Sequence, residues 1–470
     1  MYKLLLCWRY LLTRYLALAC IISVMLGVAT LIVVNSVMSG FSTKLKDRLH
    51  GLLSDVIIEA FSFEGFADSE VMMNYIRWHP VLKEKIAAMT STMEIFAMLQ
   101  FTHNGETITR PVRLIGIDPE GRASVGGFKQ YLVDQKNRDR PSFALTQKAR
   151  QRFNELNPPL DLTEIMKTPL APGAPPAPDP PPSTLKEPEG IIVGHAIATF
   201  RLKEPDGSIH EEKILQPGDT VWITTVGGGG GQQIKGVQDC FVVCDYFKSE
   251  MSEYDANFVF VPLQHLQHLR TMEDRVTSIQ IRLKNYGDAR EVVELLKTMF
   301  PARLYHVVTW EEKQGALLAA ISVERGLLNV LLFLIIGVAG FGILAIFTMI
   351  VAEKTRDIGI LKALGASSAG VMKIFLGYGL LLGVVGALLG TCLGLVFTYN
   401  INEIEQFLTK MTGQELFPRD VYYFDKIPTF IHPLSVVLVN AGALVIAIVS
   451  SILPALRAAT LHPVQALRYE

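Results

Sequence analysis

The sequence predicts a membrane protein with four transmembrane α-helices and a large extracytoplasmic α+β domain. Two observations support this fold class. Four apolar segments each reach the length of about 20 residues that a helix needs to cross a bilayer. The long stretch between the first two, residues 38–326, instead alternates strand-like and helical patterns. Half of the 470 residues are hydrophobic and 19% are charged, which fits a few spans joined to a soluble domain.

The predicted spans are numbered TM1 to TM4 and cover residues 15–37, 327–351, 374–397 and 434–453. TM1 is predicted to be a retained anchor, because its apolar core is too long for a signal peptide and no small-residue cleavage motif ends it. Pro433 suits the first turn of TM4, and Pro454 suits its exit.

Basic residues near the spans predict the orientation, because cytoplasmic loops are enriched in Lys and Arg. The flanks of TM1 are balanced, so the other loops decide. Segment 352–373 and the tail 454–470 are rich in basic residues and offer few acidic ones. We therefore predict that residues 1–14, 352–373 and 454–470 are cytoplasmic. Residues 38–326 and the loop 398–433 are then outside, which for an inner-membrane protein is the periplasm.

The outer domain is predicted to be a mixture of strands and helices. Strand-like runs occupy 55–60, 112–117, 220–225, 241–246, 257–263 and 277–283. Helical patterns lie near 69–89 and 286–300.

Two low-complexity segments interrupt this domain. The proline-rich insertion 154–189 is either an extended surface loop or a docking arm for a partner. The run Gly227 to Gly231 lacks the lysine of a phosphate-binding loop, so it is predicted to form a hairpin tip.

The residues predict no catalytic centre, cofactor or metal site in this chain. Cys240 and Cys244 would lie about 13 Å apart on one strand, too far for a disulfide between them. His265 and His268 could share a helix face, but no third ligand is evident nearby. No ATPase or hydrolase motif is present, and 44 basic against 45 acidic residues do not favour nucleic-acid binding.

A long helix is predicted to join the outer domain to the membrane. Thr309 and Glu312 form a capping box that begins it at Trp310. The pattern stays helical to about Val351, and such a helix would measure about 63 Å. The hydrocarbon core is only about 30 Å thick, so residues 310–326 are predicted to stand outside it as a stalk. The candidate stalk residues are Thr309, Trp310, Glu312, Glu324 and Arg325.

The cytoplasmic segment after TM2 is predicted to form a short amphipathic helix. Ile358, Leu361 and Gly365 fall at i, i+3 and i+7, and Gly365 can end the helix. Periodicity alone leaves two alternatives, a helix resting on the lipid surface and a helix that docks a partner. The candidate coupling residues are Glu353, Lys354, Arg356, Asp357, Ile358, Gly359, Leu361, Lys362 and Gly365.

Four stretches resemble one family. The run EKTRDIGILKALGAS, 353–367, resembles the coupling segment of FtsX/MacB-type, or type VII, ABC transporter permeases. The ending PALRAATLHPVQALRYE, 454–470, resembles the C-terminus of that family. Residues 35–58 and 247–269 resemble the LolC/LolE-type subgroup, whose members release lipoproteins.

The resemblance implies a permease subunit without ATPase activity of its own. Two copies of a separate ATPase would bind ATP and Mg, dock on the coupling segment and drive the outer domain, a process called mechanotransmission. A second permease, identical or paralogous, would complete the complex in the inner membrane. The implied cargo is lipoprotein, passed from membrane lipid to a possible periplasmic carrier.

The lipid-accessible cavity implied by this family would lie between TM1 and TM2, with Met25, Leu26 and Phe341 as candidate wall residues. Two other functions stay open within the family. One is MacB-like export of another substrate, and the other is FtsX-like signalling to cell-wall hydrolases. The proline-rich insertion and the glycine run depart from the family pattern.

Overall fold

The computed structural model describes residues 15–62, 64–158, 188–203, 209–227, 235–249, 251–412 and 426–462. The predicted segment 1–14, most of the proline-rich insertion, the glycine run after Gly227 and the end of the tail lie outside the described residues. The chain divides into two compact units. We call Asp47–Gly315 the head, and Met1–Lys46 with Ala316–Glu470 the membrane unit.

The head is built from strands and short helices, and the membrane unit contains the long helices. The described α-helices are α1 (Tyr15–Leu52), α2 (Ser69–Trp78), α3 (Pro80–Lys85), α4 (Pro119–Val125), α5 (Gln135–Asp139), α6 (Gln147–Leu156), α7 (His195–Ala198), α8 (Ser252–Asn257), α9 (Leu263–Leu269), α10 (Ala289–Met299), α11 (Trp310–Lys313), α12 (Gly315–Glu353), α13 (Thr355–Ala363), α14 (Ser368–Tyr399), α15 (Ile401–Thr412) and α16 (Pro433–Thr460). The described strands are β1 (Val56–Ala60), β2 (Ile86–His103), β3 (Glu106–Ile117), β4 (Glu189–Gly194), β5 (Thr199–Lys203), β6 (Ile209–Lys213), β7 (Thr220–Gly227), β8 (Lys235–Phe247), β9 (Phe258–Pro262), β10 (Ser278–Leu283) and β11 (Tyr305–Thr309).

Four helices of the described chain are long and apolar enough to cross a bilayer, namely α1, α12, α14 and α16. They contain the four predicted spans, which confirms the fold class. All four helices extend beyond the predicted spans. Helix α1 continues past the predicted limit at residue 37 to Leu52. Helix α16 begins at Pro433 as predicted, but it passes through Pro454 to Thr460, so the predicted exit at Pro454 is wrong. Proline is tolerated in membrane helices when neighbours satisfy the backbone groups it frees.

The predicted unbroken helix from Trp310 to Val351 is also wrong. Gln314 has φ −92° and ψ 17°, and it separates the short helix α11 from α12. The interruption is slight, because the Gln314 backbone N–H still donates to the Trp310 carbonyl at 2.9 Å. It nevertheless coincides with the boundary between the head and the membrane unit.

Glycines of α14 allow the membrane helices to pack closely. An added Cβ at Gly390 would lie 2.6 Å from the Met25 carbonyl oxygen and 2.8 Å from Cβ of Val28, both on α1. A Cβ at Gly379 would meet Ser451 of α16 at 2.0 Å. Small residues at helix contacts are typical of membrane proteins, since close packing is a main source of association in lipid. Helix α14 therefore holds α1 on one side and α16 on the other.

The head is built on one sheet with the strand order β11-β1-β10-β2-β3-β9-β4-β8-β7. Strand β2 also pairs with β7, through Met98, Leu99 and Gln100. This second pairing closes β2, β3, β9, β4, β8 and β7 into a six-stranded barrel. Its core includes Leu99, Leu114, Val243 and Val259.

The remaining strands, β1, β10 and β11, form a layer covered by helices. Val56, Ile279 and Val307 from these strands pack with Ile76 of α2 and Leu296 of α10. Strand β2 belongs to both parts, because Ile86 to Thr92 pair with β10 while Thr92 to His103 pair with β3.

The predicted helix near 69–89 was only partly right. Helices α2 and α3 occupy 69–85, but β2 begins at Ile86. The segment IAAMTSTMEIFAMLQFTH is rich in good helix formers, and its pairing with three strands overrides that preference. Strands were predicted within β1, β3, β7, β8, β9 and β10, whereas β2, β4, β5, β6 and β11 were not.

We predict that Gly390→Val will destabilise the membrane unit by about 1–3 kcal/mol, the range found for overpacked sites. The new side chain would push α14 away from α1. The measurement is the thermal unfolding midpoint of the purified protein in detergent. The matched control is Gly377→Val in the same helix, because a Cβ there meets nothing within 4 Å. Equal midpoints for both variants would contradict the packing role of Gly390.

Candidate functional site

The short helix α13, which lies between two of the spanning helices, is the first candidate element. It follows Lys354, whose φ is −94° and ψ is 8°. It ends in a Schellman motif, in which the Ala366 N–H donates to the Leu361 carbonyl at 3.0 Å. Gly365 has φ 97°, a left-handed conformation that glycine adopts without strain. The sequence prediction of a helix ending at Gly365 agrees with this backbone.

One face of α13 is packed against the membrane unit. Ile358 is 3% exposed and clusters with Val351, Val371 and Ala458. The predicted common face of Ile358, Leu361 and Gly365 is wrong, because Leu361 is 44% exposed and Gly365 lies beyond the helix. Gly359 is buried beside Ile358.

Lys362 fastens α13 to the end of α16. Its Nζ donates to the Ala459 carbonyl at 2.8 Å and to the Leu461 carbonyl at 2.7 Å. The last carbonyls of a helix have no partner within the helix, and they carry its negative partial charge. Lys362 satisfies two of them with a cation. Nothing in the sequence links this lysine to residues almost a hundred positions later.

The opposite face of α13 is apolar and exposed. We call Arg356, Ile360, Leu361 and Leu364 the elbow patch. Ile360 is 44% exposed and Leu364 is 81% exposed, and both were missed in the sequence. Arg356 and Ile360 are one helical turn apart, and Glu353 is exposed just before the helix. Lys354 and Asp357 form an ion pair across one turn. The elbow patch thus combines apolar side chains with nearby charge.

A second candidate element lies in the head, at the start of α11. The predicted capping box is confirmed. The Glu312 N–H donates to Thr309 Oγ1 at 3.2 Å, and the Thr309 N–H donates to Glu312 Oε2 at 3.4 Å. Trp310 is 3% exposed, and its ring stacks on His50 with a centroid distance of 5.4 Å.

Asp55 connects these residues. Its backbone carbonyl accepts from the Trp310 N–H at 3.2 Å. Its buried carboxylate accepts from His50 Nε2 at 2.6 Å, Arg282 Nη1 at 3.2 Å and the Leu283 N–H at 2.7 Å. We call His50, Asp55, Arg282 and Trp310 the joint. It ties the end of α1 to the start of α11 through β10.

The remaining stalk candidates, Glu324 and Arg325, lie on α12 in the membrane unit. Arg325 Nη2 donates to Ser39 Oγ of α1 at 2.6 Å, and Glu324 is exposed. The five predicted stalk residues are therefore divided. Thr309, Trp310 and Glu312 belong to the head. The candidate wall residues Leu26 and Phe341 are exposed, and Met25 is half-buried. Their lining of a lipid cavity stays a prediction.

The other polar candidates engage in local contacts. His265 Nε2 lies 2.7 Å from Asp239 Oδ2, and His268 Nδ1 lies 3.8 Å from Glu273. Within the described part of the chain, no group of three or more His, Cys, Asp or Glu residues could hold a metal ion. Cys240 and Cys244 are free thiols and form no disulfide with each other, as expected.

These elements define a class of protein. It is a four-span membrane protein with an α+β head inserted between its first two spans and a short packed helix between the second and third. Residues 329–463 match the FtsX-like permease C-terminal family. Over this region the chain is similar to FtsX-like permeases.

Three relatives are similar to about half of the chain. The chain is 33% identical over 230 residues to the lipoprotein-releasing system transmembrane protein LolC of Xylella fastidiosa, covering 49% of this chain and 55% of that protein. It is 33% identical over 216 residues to LolE of Haemophilus influenzae, covering 46% and 52%. It is 27% identical over 222 residues to the macrolide export ATP-binding/permease protein MacB of Bdellovibrio bacteriovorus, covering 45% and 31%. The chain spans about half the length of the first two relatives.

We predict that Lys362→Met will loosen α13, because hydrogen bonds to a charged group contribute about 1.5–3 kcal/mol each. Hydrogen exchange of the amides in 355–366 should accelerate by at least tenfold. Lys373→Met serves as the control, since Lys373 is exposed on α14. Unchanged exchange in Lys362→Met would show that its contacts to α16 do not hold α13.

Proposed function

We propose that this chain is the membrane-spanning subunit of an ABC transporter that releases lipoproteins from the inner membrane. A separate ATPase, present in two copies, binds ATP and Mg and supplies the energy. The elbow patch is the docking surface for that ATPase. The head responds on the other side of the membrane, and a second permease, identical or paralogous, completes the assembly.

The elbow patch is the observation that carries this proposal. A helix resting on lipid would turn its apolar face to the bilayer, yet α13 already buries Ile358 against the membrane unit and is fastened by Lys362. Ile360, Leu361 and Leu364 are left as an exposed apolar surface with charge beside it. Such a surface on a fixed helix suits a protein partner. The surrounding residues, 329–463, are those that match the FtsX-like permease family.

The orientation is part of the proposal. The basic residues beside the spans support a cytoplasmic location for α13 and both termini, with the head in the periplasm. The ATPase is then on the side where ATP is found, and the head is on the side where a lipoprotein carrier would receive cargo. The similarity to LolC and LolE proteins supports lipoprotein as the cargo.

Lipoprotein release requires an external energy source. Each CH₂ of an acyl chain buried in the membrane contributes about 0.8 kcal/mol, so extracting two or three chains is strongly unfavourable. ATP hydrolysis coupled to movement of the head would offset this cost. Membrane lipid reaches the cargo site between TM1 and TM2 in this proposal, and Met25, Leu26 and Phe341 are its candidate walls.

We predict that Leu364→Glu or charge reversal at Arg356 will uncouple the ATPase while membrane insertion stays intact. A carboxylate in the docking surface would have to lose its hydration without a partner. ATPase co-purification, and hydrolysis stimulated by the permease, should fall by at least tenfold. Leu156→Glu is the control, because Leu156 is 57% exposed in the head. Normal co-purification of Leu364→Glu would reject the docking role.

The cargo is tested by depleting the protein and measuring how lipoproteins distribute between the inner and outer membranes. Retention in the inner membrane is expected, and Leu364→Glu should fail to restore release. An unchanged distribution after depletion would reject lipoprotein as the cargo and leave the docking surface untouched.

The similarity to a MacB protein favours a second candidate, export of another substrate. A membrane fusion protein that co-purifies with the chain, together with a normal lipoprotein distribution, would support export over lipoprotein release.

A further inference from the structure

The head contains a cleft of about 510 Å³ that neither the elbow patch nor the proposed cargo site uses. Its wall includes Leu53, Ile57, Ile115, Arg122, Tyr254 and Gln314. Cavities of about 300–1,000 Å³ are the usual size for small-molecule sites. All of these residues belong to the head, so the cleft is complete within one unit.

Arg122 is the unusual residue of this cleft. It is 6% exposed, and its Nη2 donates to the Leu52 carbonyl at 3.2 Å. Its Nε and Nη1 are buried and have no hydrogen-bond partner among the described residues. Burial lowers the pKa of this guanidinium to about 10, and Glu94 opposes the shift through space. A buried cation without an anion in contact is costly to the fold.

The other charges that line the cleft are already engaged or exposed. Arg113 Nη1 donates to Glu94 Oε1 at 2.9 Å. Lys313 is paired with Glu59. Glu253 is exposed. Arg122 is thus the buried charge in this cleft without a counterion in contact within the described chain, which matches a ligand with a single negative charge.

The surroundings of Arg122 favour an apolar body on that ligand. Leu53, Ile57 and Ile115 are 9%, 1% and 5% exposed, and they form the apolar part of the wall. A hydrogen bond between a guanidinium and a carboxylate is stronger than one between neutral groups. We propose that this cleft binds an alkyl carboxylate, with the carboxylate on Arg122 and the chain along the wall formed by Leu53, Ile57 and Ile115.

The occupant would contact the chain close to both crossings between the units. Leu53 directly follows α1, and Gln314 directly precedes α12. Gln314 Nε2 also donates to the Tyr254 hydroxyl at 3.3 Å, on the wall of the same cleft. A ligand here would therefore restrict the motion of both the C-terminal end of α1 and the helix interruption at Gln314.

The test uses the full-length protein in phosphatidylcholine nanodiscs, with empty nanodiscs to subtract partitioning into lipid. Binding of octanoate is measured by calorimetry and compared with octanol, which lacks the charge, and acetate, which lacks the chain. The variants are Arg122→Met, which removes the cation, and Asn257→Trp, which fills the mouth from an exposed position on the cleft. Arg290→Met, exposed on α10, is the control.

Saturable octanoate binding is expected in the wild type and in Arg290→Met, with at least a tenfold loss in Arg122→Met and Asn257→Trp. Octanol and acetate should each bind at least tenfold more weakly than octanoate. The proposal is overturned if octanoate does not saturate, if either probe matches octanoate, or if Arg122→Met binds normally. Should Arg122→Met fail to fold, Asn257→Trp decides the same question. None of these outcomes depends on which cargo the transporter moves.

Discussion

The buried carboxylate of Asp55 is the interaction on which the working arrangement of the head depends. Its three hydrogen bonds, with a fourth to the backbone carbonyl of Asp55, hold the end of α1, strand β10 and the start of α11 in one place. The chain crosses between the head and the membrane unit only twice, at 46/47 and 315/316. Asp55 fixes the head side of both crossings. Any force passed along either long helix therefore arrives at the same few residues, because a buried, fully bonded carboxylate resists rearrangement.

In the membrane unit, too, a few contacts hold one key element in place. Helix α13 is held by apolar contacts of Ile358 and by the bonds of Lys362 to the carbonyl end of α16. A push on the elbow patch would then move α12 and α16 together, because α13 cannot tilt without breaking those bonds. The glycines of α14 add close contact with α1 and α16. In the proposed complex, the docked ATPase would act on a packed bundle of helices.

Local patterns predicted much of this fold, and long-range contacts account for what they missed. The four spans, the Thr309–Glu312 capping box and the turn at Gly365 depend on neighbours in sequence, and they were found. Strand β2 was missed because its helix-forming residues become a strand only through pairing with β3, β7 and β10. The hydrogen bonds of Lys362 and Asp55 join residues far apart in sequence. The lack of a counterion at Arg122 likewise depends on how distant parts of the chain pack around it. No spacing rule reveals such contacts, so the exposed elbow patch was only partly predicted.

The eighteen-residue strand β2 has a consequence for how the head comes apart. One half of it supplies the ladder of the helix-covered layer, and the other half closes the barrel. If either half of β2 unfolds, the neighbouring strands of the other part lose backbone hydrogen bonds. Barrel and layer should accordingly melt as a single cooperative body, with one calorimetric transition and no stable half-folded intermediate. In the proposed complex, a head that unfolds only as a whole would transmit movement without passing through a partly folded state.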